Sequence, residues 1–197
     1  MFRKMTAKLR SAIQESFLKL ALRKPVDRIT VKEIVEDCDI NRNSFYYHFE
    51  DLPDLIEKVV KERILNIEQL KVDNQSLEDY SLAVVQAMIN NQELIRNIYN
   101  SKSRALFERK LYTITGKLVR EFLETRIVPK YDIGLADQET IVRFYRNVLT
   151  GYVLEWLNSP VHDDLNTQFK RVFILRKGFF ERMLERAVIE HRTAKKR

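Results

Sequence analysis

The segment from Thr30 to Leu55 constrains the fold of this 197-residue chain more than any other part of the sequence. Thr30 and Glu33 have the spacing of a capping box, in which each side chain bonds the other residue's backbone amide at a helix start. Ile34 and Val35 then continue an apolar stripe at helical spacing. The pattern predicts a short helix that begins directly after Thr30.

A turn and a second short helix are predicted to follow. Asp39 interrupts the apolar pattern, and aspartate is one of the few non-glycine residues that tolerate a left-handed backbone. Asn41 can cap the next helix, in which Phe45 and Phe49 lie four residues apart and face inward. The other faces of that helix carry Arg42, Asn43, Ser44, Tyr46, Tyr47 and His48. Two short helices with such a polar second helix predict a helix-turn-helix motif that enters the DNA major groove.

The same segment resembles the DNA-binding motif of the TetR family of bacterial transcriptional regulators. The run from Phe45 to Phe49, FYYHF, is similar to that family's Phe-Tyr-x-His/Tyr-Phe pattern, and Leu55 matches a further position. Thr30, Ile40 and Asn41 also stand at family positions. Leu52 departs from the pattern, because the family usually has a phosphate-binding lysine there.

The resemblance implies a homodimer that binds a double-stranded palindromic operator. Its expected DNA-binding residues are Thr30, Asn41, Arg42, Asn43, Ser44, Tyr46, Tyr47 and His48. Thr30, Tyr47 and His48 would contact phosphates, and residues 42–44 with Tyr46 would lie nearest the base edges. An arginine can bind guanine and an asparagine adenine through paired hydrogen bonds. The alternatives are that Tyr46 packs beneath its helix and that residues 42–44 only face solvent.

The whole chain is predicted to be all-α, with about nine helices. Residues 1–50 would form the three-helix DNA-binding domain, and residues 51–197 a larger helical body for effector binding and dimerisation. Only 4 glycines and 4 prolines suit helices with short connections. The fourth helix is expected to end near Lys71, and the last helix to run from about Leu165 to Ala187 or beyond.

Charge and composition narrow the class of function. The net charge is +7, and four of the lysines and arginines lie in the last six residues. The first fifty residues contain ten lysines and arginines against seven acidic residues, so this part of the chain is only mildly basic. No stretch predicts a membrane span or a signal peptide, and the single cysteine, Cys38, suits a reducing cytoplasm. No phosphate-binding loop, metal-ligand spacing or nucleophile motif is present. We therefore expect a cytoplasmic protein that is not an enzyme, with no catalytic residues, metal site or cofactor.

Two apolar helix faces near the C-terminus predict a dimer interface. In the TetR family the last two long helices pair with their mates across a twofold axis. The corresponding residues here are Phe144, Val148, Tyr152, Trp156, Val172, Leu175, Phe179 and Met183. Gly151 and Gly178 would allow close helix approach. The alternative is that both faces pack inside one subunit.

Aromatic residues of the middle helices are candidates for an effector pocket. They are Tyr80, Met88, Tyr99, Phe107, Tyr112, Phe122 and Tyr145. Aromatic residues at this spacing also suit an ordinary core. The spacing of Phe144-Tyr145, Tyr152 and Trp156-Leu157 resembles a Firmicutes TetR subgroup that includes regulators of dihydroxyacetone kinase genes, some of which activate transcription through a protein partner.

Together these patterns predict a DNA-binding transcriptional repressor that acts as a homodimer and is controlled by a small molecule. The alternative is a transcriptional co-regulator or activator whose C-terminal body binds a protein partner. A hydrophobic cavity in the body would favour the first hypothesis, and a packed body with an exposed apolar patch the second.

Overall fold

A computed structural model describes residues 2–64, 76–159 and 165–195, and these ranges contain helices and no β-strand, which confirms the predicted all-α class. Ten α-helices lie in the described ranges: α1 (Phe2–Ala21), α2 (Val31–Asp37), α3 (Arg42–His48), α4 (Leu52–Val59), α5 (Leu77–Asn90), α6 (Gln92–Tyr99), α7 (Arg104–Phe122), α8 (Leu135–Asn158), α9 (Leu165–Leu175) and α10 (Phe179–Ala194). Short π-helical turns extend α4 over Val60–Ile64 and α7 over Leu123–Ile127. None of these helices is long and apolar enough to cross a membrane.

The chain divides into two compact units. The first consists of Met1–Asn66 and Asn90–Lys110, and the second of Ile67–Ile89 and Leu111–Arg197. Helices α1–α4 and α6 therefore belong to the first unit, and α8–α10 to the second. The functional boundary that the sequence suggests at residue 50 stays a prediction.

The first unit is built around buried side chains from each of its helices. Phe17 of α1, Ile34 of α2 and Leu55 of α4 are all fully buried. Asn97 of α6 binds the end of α1, because its Nδ2 donates to the carbonyl of Ala21 at 2.6 Å. Carbonyls at a helix C-terminus lack partners within their helix, so this bond stabilises the end of α1.

The core of the second unit lies along α7 and α8. Trp156 of α8 is only 4% exposed, and Leu149 and Val153 of the same helix are also buried. Between the helices, the hydroxyls of Thr115 and Thr150 lie 2.8 Å apart, so these two buried polar groups satisfy each other.

The prediction of one unbroken last helix is wrong. Helix α9 ends at Leu175 and α10 begins at Phe179. Gly178, at the break, has a φ of 75°, a left-handed conformation that glycine adopts without the steric cost of a side chain. Gly178 therefore serves the turn between the helices. The predicted end of the fourth helix near Lys71 lies outside the described residues.

Candidate DNA-binding surface and body cavity

Side-chain caps fix the starts of both short helices. Thr30 Oγ1 accepts from the amide of Glu33 at 3.3 Å, and Glu33 Oε2 accepts from the amide of Thr30 at 3.0 Å, which completes the predicted capping box. Asn41 Oδ1 accepts from the amide of Ser44 at 2.9 Å. Asp39 in the turn has a φ of 52°, the predicted left-handed conformation. Residues close to each other in sequence therefore define the starts of α2 and α3 and the turn between them.

Helix α3 is anchored on its inner face and at its end. Phe45 and Phe49 are buried, with ring centroids 5.7 Å apart. Lys58 of α4 lies over the ring of Phe49 at 5.1 Å and donates to the carbonyl of His48 at 3.3 Å. A cation at the C-terminal end also interacts favourably with the helix dipole. The faces of α3 that are not covered by this packing form its outward surface, which extends from Arg42 to Tyr47.

That outward surface is rich in hydrogen-bonding groups. Arg42 and Asn43 are exposed, and no other side chain in the described ranges bonds theirs. Tyr47 is 76% exposed. Tyr46 is 52% exposed, although its ring packs edge-on against Phe45 at 5.4 Å. These side chains can therefore reach a second molecule without disturbing the packing of α3.

Several predicted DNA-binding groups already have internal partners. Thr30 Oγ1 donates to Glu33 Oε2 at 3.0 Å, and Ser44 Oγ donates to Asn41 Oδ1 at 3.1 Å. Lys24 forms an ion pair with Glu33 and lowers the pKa of that carboxyl group. The carboxylate of Glu33 is therefore charged, but the charge of Lys24 compensates it. It would repel a nearby phosphate less than an unpaired carboxylate would.

The start of α4 differs chemically from the family pattern. Leu52 is the first residue of α4, and the preceding Asp51 accepts from the amide of Asp54 at 2.8 Å. A carboxylate thus stabilises this helix start, where the TetR pattern has a lysine directed at phosphate. If this surface binds a phosphate, the contact has to come from other groups than Leu52.

His48 lies at the C-terminal end of α3 in a positively charged setting. Burial lowers the pKa of its imidazole, and the charges of Arg10 and Lys58 lower that pKa further. His48 is therefore neutral at neutral pH and can donate a hydrogen bond from only one ring nitrogen. A DNA phosphate beside it would favour the protonated imidazole and raise its pKa.

We expect DNA binding to strengthen on mild acidification through a proton taken up by His48. Each unit by which DNA raises the pKa of His48 adds up to about tenfold in affinity. This gain is complete below the pKa of the free protein and is lost as the pH rises through the pKa of the complex. The measurement is operator affinity against pH at fixed ionic strength, for the wild type and for His48→Gln, which keeps a donor but does not titrate. Equal pH dependence in both proteins would show that His48 does not face a phosphate.

A cavity of about 360 Å³ lies in the second unit between α8 and α9. Its walls are almost entirely apolar and include six aromatic residues of these helices and of the start of α10. The lining residues are Ser81, Phe144, Tyr145, Val148, Leu149, Tyr152, Phe169, Val172, Phe173, Arg176 and Phe179. An apolar cavity with a few polar groups is the usual form of a small-molecule site.

Tyr145 and Arg176 form the polar end of the cavity, and Glu78 of α5, which is not part of the lining, pairs with Arg176. Arg176 Nη2 donates to Glu78 Oε1 at 2.8 Å, and Arg176 Nη1 donates to the hydroxyl of Tyr145 at 3.2 Å. The guanidinium also lies 4.6 Å from the ring centroid of Phe173. Burial raises the pKa of Tyr145, so its hydroxyl stays protonated at neutral pH.

The residues predicted to form an effector pocket do not come together. Only Tyr145 lines the cavity. Tyr99 and Phe107 pack edge-on in the core of the first unit, with centroids 6.1 Å apart, and Met88 and Phe122 are buried in the second. Tyr112 is exposed beneath the guanidinium of Arg146, and the side chain of Tyr80 lies outside the described residues. The spacing of aromatic residues along one helix thus predicts which residues are buried. It does not predict which helices pack together around a cavity.

Most residues predicted for the dimer interface also line this cavity, and the interface itself stays a prediction. They are Phe144, Val148, Tyr152, Val172 and Phe179. Met183 is half-buried on α10, and Leu175 is 71% exposed at the end of α9. Trp156 has to be removed from the predicted interface, because it fills the core of its own subunit. Phe169, Phe173 and Arg176 were missed, although their spacing of four and then three residues, over α9 and the residue that follows it, is typical of one helix face.

These features define the class of the protein. An all-α chain whose capped, anchored short helix presents arginine, asparagine and tyrosines after a tight turn is a helix-turn-helix DNA-binding regulator. A family model described as "Transcriptional regulator C-terminal region" (TetR_C_8) matches residues 75–178. The chain belongs to the TetR family of transcriptional regulators.

Solved structures share the fold. The "Dihydroxyacetone kinase operon activator DhaS" aligns with a TM-score of 0.66 and 17% identity, covering 92% of this chain and 97% of that one. Native NalD of Pseudomonas aeruginosa, the secondary repressor of the MexAB-OprM multidrug efflux pump, aligns with a TM-score of 0.59 and 20% identity, covering 93% and 98%. No curated protein matches the chain by sequence.

Proposed function

We propose that this protein represses transcription in the cytoplasm by binding a palindromic operator as a homodimer, under the control of a small molecule. The observation that carries the proposal is the outward surface of α3, where Arg42, Asn43 and Tyr47 are exposed on a helix anchored from beneath. Arginine and asparagine are suited to base edges in the major groove, and tyrosine hydroxyls to phosphates.

The need for two subunits follows from the small size of this surface. Helix α3 has seven residues, and the first fifty residues contain ten lysines and arginines against seven acidic residues. One such DNA-binding domain offers few contacts with DNA and little electrostatic attraction to it. A twofold dimer doubles both. Half-sites would then lie about one helical turn, roughly 10 base pairs, apart or a multiple of that distance.

Exposed apolar residues on α9 support the homodimer. Ile174 and Leu175 are 64% and 71% exposed, although both are large aliphatic side chains. On α8, no other group lies within 4 Å of the position that a side chain at Gly151 would take, so this face is open to a neighbouring helix. Large apolar side chains exposed in this way are candidates for an interaction site.

We expect Leu175→Asp to weaken the dimer and, with it, operator binding. A carboxylate in a dimer interface would lose its water without a partner charge, at a cost of several kcal/mol. Sedimentation of the wild type and the variant measures the effect, with the exposed polar change Lys177→Gln as the control. A variant that dimerises as tightly as the wild type would place the interface elsewhere.

Selection of bound duplexes from a random pool tests the proposed function. The dimeric wild type should enrich an inverted repeat, and its affinity should fall steeply with salt as counterions are released from the phosphates. A dimeric sample that enriches no inverted repeat at low salt would contradict operator binding. Transcription from the selected site with purified polymerase then tests the sign of regulation, which should be repression.

A second candidate function is a co-regulator or activator whose body binds a protein partner. It is favoured by the exposed Ile174 and Leu175, which a different protein would also cover. The fold is shared with DhaS, an operon activator, as well as with NalD, a repressor. A chain that stays monomeric and activates transcription only with a second protein would support this candidate.

A further inference from the structure

We propose that the cavity between α8 and α9 is the effector site, and that it binds an uncharged, largely aromatic molecule with one hydrogen-bond acceptor. The inference rests on the small-molecule control proposed above and specifies where the molecule binds and what chemistry it has. The volume of about 360 Å³ lies within the range of ligand pockets, roughly 300–1,000 Å³. A molecule of about two fused rings fits that size.

The walls of the cavity favour aromatic rings. Phe169 of α9 packs against Tyr152 of α8 with centroids 5.4 Å apart, and against Phe173 at 6.0 Å. At the entrance the rings of Phe144 and Phe179 lie 5.9 Å apart, and both side chains are partly exposed. Aromatic rings at these separations offer faces and edges to a flat ligand, which gains from offset or edge-on contacts beyond its area burial. A ligand would also cover the two exposed entrance rings.

The charges of the cavity compensate each other. Arg176 carries the positive charge at the polar end, and its bond to Glu78 at 2.8 Å neutralises it within the same unit. An anionic ligand would lose hydration and meet an arginine whose charge Glu78 already compensates, and a cationic ligand would be repelled by Arg176. Neither gains an unmatched opposite charge, and burying an uncompensated charge costs more than burying a neutral polar group. The site therefore favours an uncharged molecule.

Tyr145 determines which neutral polar group the site accepts. Its hydroxyl oxygen accepts from Arg176 Nη1 at 3.2 Å, so its own O–H remains to donate. Ser81 and Tyr152 carry the other hydroxyls of the lining, and that of Ser81 donates to the carbonyl of Leu77 at 2.7 Å and is already satisfied. A ligand carbonyl or ether oxygen near Tyr145 would receive the proton of that hydroxyl.

Four naphthalene compounds of similar shape test the ligand class. They are 2-acetylnaphthalene with a neutral acceptor, 2-ethylnaphthalene without one, 2-naphthoate as the anion and 1-(2-naphthyl)ethylamine as the cation. Calorimetric or fluorescence titration of the full-length wild type should rank the ketone tightest, by about five- to tenfold over 2-ethylnaphthalene for one hydrogen bond. The two ions should bind more weakly than the ketone. Saturation with the ketone should also weaken operator binding.

Tyr145→Phe provides the decisive variant, because it removes only the hydroxyl. It should reduce the affinity for the ketone to that for 2-ethylnaphthalene and leave the affinity for 2-ethylnaphthalene unchanged. Tyr112→Phe is the matched control, since Tyr112 lies outside the cavity lining. Equal ketone affinity in both variants overturns the role of Tyr145, and tightest binding of either ion overturns the neutral ligand class.

Further outcomes separate this inference from the proposed function. A protein that binds its operator but none of the four compounds overturns the inference and leaves DNA binding intact. Compound binding that appears only in the Leu175→Asp monomer would show that a second copy fills the cavity, which also overturns it. Ketone binding that leaves operator affinity unchanged overturns the effector role. Ketone binding by a chain that selects no DNA supports the site and contradicts the operator proposal.

Discussion

Trp156→Ala should destabilise the second unit by about 3–5 kcal/mol, the usual cost of truncating a large buried aromatic residue. Trp156 is 4% exposed within a single chain, so its loss leaves a cavity in the core of this unit. Urea unfolding followed by far-ultraviolet circular dichroism, at two protein concentrations, measures the change. The two concentrations separate loss of folding from loss of dimer.

Leu175→Ala is the matched control for this prediction. Leu175 is 71% exposed on the same unit, so its truncation should change the unfolding free energy of the subunit very little. If Trp156→Ala left the unfolding transition in place and only dissociated the dimer, Trp156 would belong to an interface and the packing described here would be incorrect.

Phe45→Ala should abolish DNA binding although Phe45 cannot touch DNA. Its side chain is fully buried beneath α3, next to Phe49 and edge-on to Tyr46. Truncation should cost about 3–5 kcal/mol, and a seven-residue helix without its tertiary anchor is not stable in water. The amide signals of α2 and α3 in NMR spectra should collapse together with operator binding.

Phe45→Leu is the conservative comparison, because it keeps most of the buried apolar volume. It should retain measurable operator binding with the same preferred sequence. Intact operator affinity in Phe45→Ala would mean that α3 does not need its anchor, and that the recognition surface lies on another element.

The parts of the structure that depend on neighbouring residues could be predicted from sequence. The caps at Thr30 and Asn41 and the left-handed turn at Asp39 each involve residues at most three apart, and all three are present. Ser76 likewise caps α5, since its Oγ accepts from the amide of Asp79 at 3.1 Å. Side-chain oxygens compete for nearby backbone amides in any context, so such signals survive in the folded chain.

The parts of the structure that depend on residues far apart in sequence could not be predicted from sequence. Helical spacing placed Phe144, Val148 and Tyr152 on one face of α8 but did not reveal that α9 closes over them to form a cavity. Asn97 binds the end of α1 across more than seventy residues of sequence, and no local pattern marks it. Gly178 was assigned to close helix approach, because sequence alone does not show a positive φ within an otherwise helical stretch.

The central claim is that Arg42 of α3 contacts a base and Tyr47 of the same helix contacts a phosphate, and one experiment tests both roles. Random-pool selection should be repeated with Arg42→Ala and Tyr47→Phe beside the wild type. Arg42→Ala should lose preference at one position of each half-site, worth about 1–3 kcal/mol there, because the lost contact is to a base. Tyr47→Phe should keep the preferred sequence and weaken all sequences alike, because a phosphate contact carries no base information. An unchanged preference in Arg42→Ala, together with a changed one in Tyr47→Phe, would contradict the proposed recognition surface.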